Sequence, residues 1–251
     1  MNAEGTYIYC LIDESREVEL CVPGIGDRGD PVHTIPWKGV AAVVSASPII
    51  RYPVSKENSM AHEQAIEAAM RKGYTALPVR FGTIAENNSK IIEILAHKYD
   101  EFTLLLEQMK NKVELGVKAV FAEKIIYQDI LDQYPEIRKQ KAALESKGPQ
   151  ESYYQRIEIG RMVESALEEQ KKKYREEIIA HLKSYCCDFR LTHRLLGERM
   201  IMNAAFLVDR NSELTFDQKM DELSQRYRDK VRFKYVSELP PFNFVHLVIN
   251  V

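Results

Sequence analysis

Apolar and polar positions divide the chain into stretches of contrasting period. Tyr7-Ile8-Tyr9-Cys10-Leu11-Ile12 is an unbroken apolar run closed by Asp13-Glu14-Ser15, which predicts a first buried strand. A second strand or hairpin arm follows over residues 18–22, then turn chemistry at Pro23-Gly24-Ile25-Gly26-Asp27-Arg28-Gly29. Val40-Ala41-Ala42-Val43-Val44-Ser45 is a strong strand. From Ser59 the period turns helical: Ala61, Ala65, Ala68, Ala69 and Met70 offer a small-residue face, Asn58 or Ser59 can cap it, and Gly73 ends it. Residues 87–97 and 101–110 predict two more helices, and Val113-Glu114-Leu115-Gly116-Val117 alternates like a strand. This order predicts an α+β layer with helices on one face of a mostly antiparallel sheet.

The middle of the chain changes character. Residues 123–146 read as one helical stretch, punctuated by Pro135 and closed by Lys147-Gly148-Pro149. A long charged helix follows over 151–184, with Ile159, Val163, Ala166, Tyr174, Ile178 and Leu182 at spacings near three and four or their sum. Its run Glu168-Glu169-Gln170-Lys171-Lys172-Lys173 mixes signs and reads as a solvated helix face rather than a nucleic-acid arm. Strands return at 189–195 and 200–208, then a helix with Phe216, Met220, Leu223 and Tyr227 on one stripe, then an alternating strand over 231–236. Strand, strand, helix, strand is the ending of a split α+β sandwich. The predicted domains are an N-terminal α+β domain over 1–122, a helical hairpin over 123–184 that is a linker or part of the second domain, a C-terminal α+β domain over 185–236, and an extended tail over 237–251.

Composition narrows the function classes. With 45% hydrophobic and 29% charged residues the chain has an ordinary globular balance, and a net charge of −2 gives no basic field for nucleic acid or anionic lipid. No apolar run approaches the roughly 20 residues of a membrane helix, and the N-terminus lacks a signal-peptide pattern, so a cytosolic address is expected. The four cysteines show no metal spacing and read as buried free thiols. Gly24-Ile25-Gly26-Asp27-Arg28-Gly29 spells the dinucleotide fingerprint, but Asp30-Pro31-Val32 follows where a helix should open, so a turn is the reading. No nucleophile, metal or cofactor set stands out, and His62 beside Glu63 reads as a surface or satisfied histidine before a general base. No catalytic, cofactor or metal residue is therefore assigned.

Two segments look made for contact. Leu77-Pro78-Val79-Arg80-Phe81-Gly82 places an arginine inside an apolar run, which a guanidinium tolerates only by reaching water, pairing with a carboxylate or gripping a ligand. The expectation is a buried stem with the head held by carbonyls or a carboxylate of the same domain, and a binding role as the alternative. The tail Pro240-Pro241-Phe242-Asn243-Phe244-Val245-His246-Leu247-Val248-Ile249 is rigid, then apolar, and needs cover from the protein body or a sheet edge. Candidate partner-binding residues are Arg80, Phe81, Pro240, Pro241, Phe242 and Phe244.

In their order along the chain, these pieces resemble the gas vesicle protein F/L family over nearly the whole length. The resemblance rests on Tyr7-Ile8-Tyr9, Pro23-Gly24-Ile25-Gly26, the 40–45 strand, His62, Leu77-Pro78-Val79-Arg80-Phe81-Gly82-Thr83, the 113–118 strand, Asn203-Ala204-Ala205-Phe206-Leu207-Val208 and the diprolyl tail. Ser237-Glu238-Leu239 and Phe242 depart from the family's Gly-Pro-Trp-Pro-Pro-Tyr pattern, and the one tryptophan is Trp37. The resemblance implies two ferredoxin-like or modified ferredoxin-like α/β sandwiches joined through the hairpin, with an extended tail. It also implies a non-enzymatic role: a minor vesicle component that binds the hydrophobic major shell protein and limits its aggregation during nucleation. The major shell protein is the implied partner, with other minor gas vesicle proteins as a second class, neither nucleic acid nor lipid membrane, and the gas vesicle within the cytoplasm as its place. The competing reading is an enzyme or small-ligand-binding protein on an α+β scaffold, using His62 or Arg80.

Overall fold

The computed structural model describes residues 3–144, 148, 152–192 and 197–249. Its first strand, β1 (Glu4–Ile12), is buried without a break from Thr6 onward. β1 runs antiparallel to β4 (Val40–Pro48), from Glu4 opposite Pro48 to Ile12 opposite Ala41, with a register shift between Ile8 and Cys10. β3 (Pro31–Trp37), β2 (Glu19–Pro23), β5 (Ala76–Pro78) and β6 (Ile84–Ala85) complete a six-stranded sheet ordered β2-β3-β4-β1-β5, with β6 also on β1. β3 is absent from the sequence-based prediction because Pro31 and Pro36 interrupt its apolar pattern; both lie near its ends, where a missing N–H is tolerated.

Helix α1 (Lys56–Arg71) begins earlier than its apolar face suggests, because Ser55 caps it by accepting the Asn58 N–H at 3.2 Å. Gly73, at φ +92°, donates to the Met70 carbonyl and ends it as expected. Helices α2 (Asn88–His97) and α3 (Tyr99–Met109) bring Ile91, Leu95, Phe102 and Leu106 against Ile8, Leu11, Ala42 and Val44. Tyr7 and Tyr9 flank Ile8 and point the other way, toward His62 of α1, whose ring lies 5.7 Å from each. Helices therefore cover both faces of this sheet, where one face was expected. Double cover is why β1 reads as a continuous apolar run instead of an alternating one.

A second sheet is ordered β10-β7-β9-β8, from β7 (Lys112–Phe121), β8 (Asp188–Leu191), β9 (Met200–Asp209) and β10 (Val231–Leu239). The helical stretch after β7 is two helices, α4 (Glu123–Gln133) and α5 (Pro135–Leu144), split where Pro135 opens the second. α6 (Tyr153–Leu182) buries Ala166, Ile178 and Leu182 of the predicted stripe, and Gln170 of α6 donates to Gln133 at 3.0 Å. α7 (Glu213–Arg226) seats Phe216 against Phe206 of β9 with ring centroids 5.3 Å apart. Lys147 and Pro149 of the predicted break, and residues 193–195 of the predicted strand, lie outside the described residues.

The chain is a mixed α/β protein with two antiparallel sheets and, among the described residues, seven α-helices. It divides into two compact units, Met1–Glu114 with Ser237–Val251, and Leu115–Val236. Among the described residues no helix is long and apolar enough to cross a membrane. Of the free cysteines only Cys10 is buried; Cys21 and Cys187 are exposed and Cys186 is half-buried, because they sit at an edge strand and in a connection rather than in the core.

Candidate functional site

The Pro78–Gly82 segment is pinned to β1 from several directions. Val79 donates its N–H to the Tyr9 carbonyl at 3.0 Å, and Ile8 donates to the Thr83 carbonyl at 2.9 Å. Gly82 donates its N–H to the Tyr7 hydroxyl at 2.9 Å, and its φ of +82° turns the chain that follows. That hydroxyl lies 3.0 Å from His62 Nδ1, while the His62 ring also bonds the Val79 backbone. A hydroxyl that accepts from Gly82 is free to donate to Nδ1, so Nε2 carries the proton toward the Val79 carbonyl. Burial pushes the His62 pKa down to about 4, against the opposing Val79 hydrogen bond. Both ring nitrogens are thus engaged and the imidazole is neutral, which answers the sequence reading of a satisfied histidine.

The neighbouring turn is fixed by the same layer. Tyr9 Oη accepts the Ile25 N–H at 2.7 Å and shares a 2.8 Å hydrogen bond with Ser45 Oγ. Gly24 approaches so closely that a Cβ there would lie 2.5 Å from Ser45 Oγ. The glycines of this stretch therefore serve a tight turn packed on the sheet, and β3 follows where a nucleotide-binding helix would have to begin.

Arg80 departs from expectation. Its side chain is exposed and makes no ion pair among the described residues. The reason is local: Val79 faces the core at 2% exposure, the next side chain points oppositely, and the chain turns away at Gly82. What β1 and His62 hold is the backbone of the segment, and the guanidinium is left over.

The tail folds onto the same unit. Pro240 and Pro241 are buried and start a tight turn in which Phe244 and Val245 donate to the Pro241 carbonyl at 3.0 and 2.9 Å. Asn243 grips the buried Glu114 carboxylate, and Val245, Leu247 and Ile249 enter the core beside Ile91 and Phe102. Leu247 forms a parallel bridge with Val79. An open groove of about 320 Å³ lies here, with Arg80, Phe81, Phe242 and Val248 on its wall and His62 beneath. Phe81 packs edge-on to His62 at 5.6 Å, and Phe242 is 37% exposed. The structure thus brings Arg80, Phe81 and Phe242 together, places Pro240 and Pro241 inside, and leaves Phe244 half-buried outside the groove lining. Glu114, His246 and Val248 were not singled out from the sequence, although the alternation Val245-His246-Leu247-Val248-Ile249 carries the signal for the last two.

A family model described as gas vesicle synthesis protein GvpL/GvpF matches residues 5–246. The chain belongs to the GvpL/GvpF family. Gas vesicle protein F of a Streptomyces species is 27% identical over 242 residues, covering 96% of this chain and 99% of the relative. Gas vesicle protein F of a Nostoc species is 24% identical over 247 residues, covering 98% and 99%. The crystal structure of the gas vesicle protein GvpF from an Anabaena species superposes with a TM-score of 0.82 at 24% identity, covering 97% of this chain and 99% of that one, and shows the same fold. GvpL/GvpF is a family of gas vesicle proteins and not a known enzyme family. Within this GvpL/GvpF member, the Pro78–Gly82 segment joins strand β1, helix α1 and the tail into one construction.

Proposed function

We propose that the chain is a minor gas vesicle protein that binds the hydrophobic major shell protein and limits its aggregation while vesicles nucleate in the cytoplasm. The observation that carries this reading is the groove in which Arg80, Phe81 and Phe242 meet. It offers exposed aromatic and aliphatic surface beside a cation that no carboxylate of the described residues neutralises. An aggregation-prone subunit presents apolar surface before it is built in, and such a groove covers that surface reversibly, without nucleotide. Other minor gas vesicle proteins are a second class of partner on the same reading. The Leu115–Val236 unit is read as a ferredoxin-like sandwich, supported by the strand order β10-β7-β9-β8 with helices after β7 and β9.

The test is co-purification of the full chain with the shell protein, alongside the variant Arg80→Ser/Phe242→Ser. The wild type should retain the shell protein in solution and the variant should retain at least tenfold less. A wild type that captures none of it contradicts the proposal.

A further inference from the structure

The tail is seated much as a strand would be. Burial alternates along it: Val245, Leu247 and Ile249 are buried, while His246 and Val248 are exposed. Its bridge to Val79 is isolated, with no ladder continuing to either side among the described residues. The side chains of Val245, Leu247 and Ile249 join the core cluster that includes Ile91, Leu95, Phe102 and Leu106. The strand order ends at β5, so this seat lies at an edge of the sheet. Just upstream, Glu238 holds the left-handed conformation at φ +56°, which is unfavourable for a residue with a side chain, and the rigid Pro240-Pro241 pair follows.

A seat that takes an apolar side chain at every second position, beside a single isolated bridge, fits any extended segment of that pattern. We infer that residues Val245–Ile249 are an exchangeable strap, and that an extended client segment with apolar side chains at alternate positions takes their place while the strap lifts about residues 237–243. This rests on the proposed function, with the shell protein as client: it first meets Arg80, Phe81 and Phe242 at the closed groove, and one of its extended segments then takes the strap's seat. The covalent link gives the strap an effective concentration on the order of millimolar, so a scarce client leaves it closed and the edge covered. A client accumulating on a growing assembly outcompetes it. The strap is then a guard against self-association as well as a gate.

The experiment is a reversible lock in the full chain. Val79→Cys with Leu247→Cys joins the bridged pair by a disulfide, and a labelled peptide of residues 242–249 serves as probe, read by fluorescence anisotropy. The reduced form should bind the peptide and the oxidised form should bind at least tenfold more weakly, with reductant restoring binding. Equal binding by both forms, or none by the reduced form at millimolar peptide, overturns the inference. Hydrogen exchange on the wild-type chain provides a readout without cysteines: the amides of residues 245–249 should exchange at least about 100-fold faster than those of β1, and equal protection overturns the inference. Shell protein separates the two claims. If it binds the locked and reduced forms equally, the function stands and the strap inference falls; if it binds neither, the proposed function falls.

Discussion

Asn243 clamps the buried carboxylate of Glu114 with two donors, its main-chain N–H to Oε2 at 2.8 Å and its side-chain amide to Oε1 at 2.6 Å. Glu114 is 2% exposed and lies 129 positions earlier in the chain. A buried carboxylate needs such donors, and the tail needs a fixed point, so one contact satisfies both requirements. Asn243→Ala keeps the backbone donor and removes the amide. It should destabilise the unit by about 2 kcal/mol, in the range for a lost hydrogen bond to a buried charge. Urea unfolding with hydrogen exchange at residues 245–249 checks both the size and the place of the effect.

His62 sets an acid limit on the same unit. Its folded pKa, near 4, lies below the 6.5 of a free imidazole. Above pH 6.5 both folded and unfolded chains hold it neutral and it adds no pH dependence. As pH falls from 6.5 toward 4 the unfolded chain takes up a proton that the folded one refuses, so stability declines, by about 3 kcal/mol in all. His62→Gln should flatten the stability profile across that window. An unchanged profile would assign the acid limb to other groups.

Gly24 should not tolerate a side chain. An added Cβ would sit 2.5 Å from Ser45 Oγ and 2.7 Å from Ser45 Cβ. Gly24→Ala is expected to cost about 2 kcal/mol by overpacking, and Ser45→Gly in the same chain should recover part of it. Thermal unfolding of the single and double variants measures the recovery.

Phe206 is fully buried, stacks on Phe189 at 5.9 Å and packs at a tilt against Phe216 at 5.3 Å. Phe206→Ala should destabilise the Leu115–Val236 unit by about 3–5 kcal/mol. Two unfolding steps, with only one of them moved, would report that the two units melt separately.

Much of this architecture is readable from pattern. β1, β4, β7, β9 and α7 announce themselves because burial of one or both faces forces apolar runs or periods. β3 stayed hidden behind Pro31 and Pro36, and the start of α1 behind a polar first turn, Lys56-Glu57-Asn58. Arg80 shows a deeper limit. Whether an arginine in an apolar run is buried depends on where the backbone turns, and that turn is fixed by Tyr7, a residue 75 positions away from Gly82. The groove was only half legible for the same reason: Phe81 and Phe242 can be named from their segments, but their meeting depends on the tail docking beside Val79.

The exposure of Arg80 has a direct consequence for stability. With no ion-pair partner among the described residues to orphan, Arg80→Ala should shift unfolding by no more than about 0.5 kcal/mol. A loss of several times that size would show that the guanidinium is held after all. A neutral result leaves the residue available for contact with a partner.

The most direct test of the groove as the partner site is a photo-crosslinking residue placed at Phe242 in vesicle-forming cells, with Leu214, 76% exposed in the other unit, as the control position. Mass spectrometry should find adducts to the major shell protein at position 242, and few at position 214. Adducts equally abundant at both positions, or present at 214 and absent at 242, would contradict the assignment of the groove as the shell-protein site.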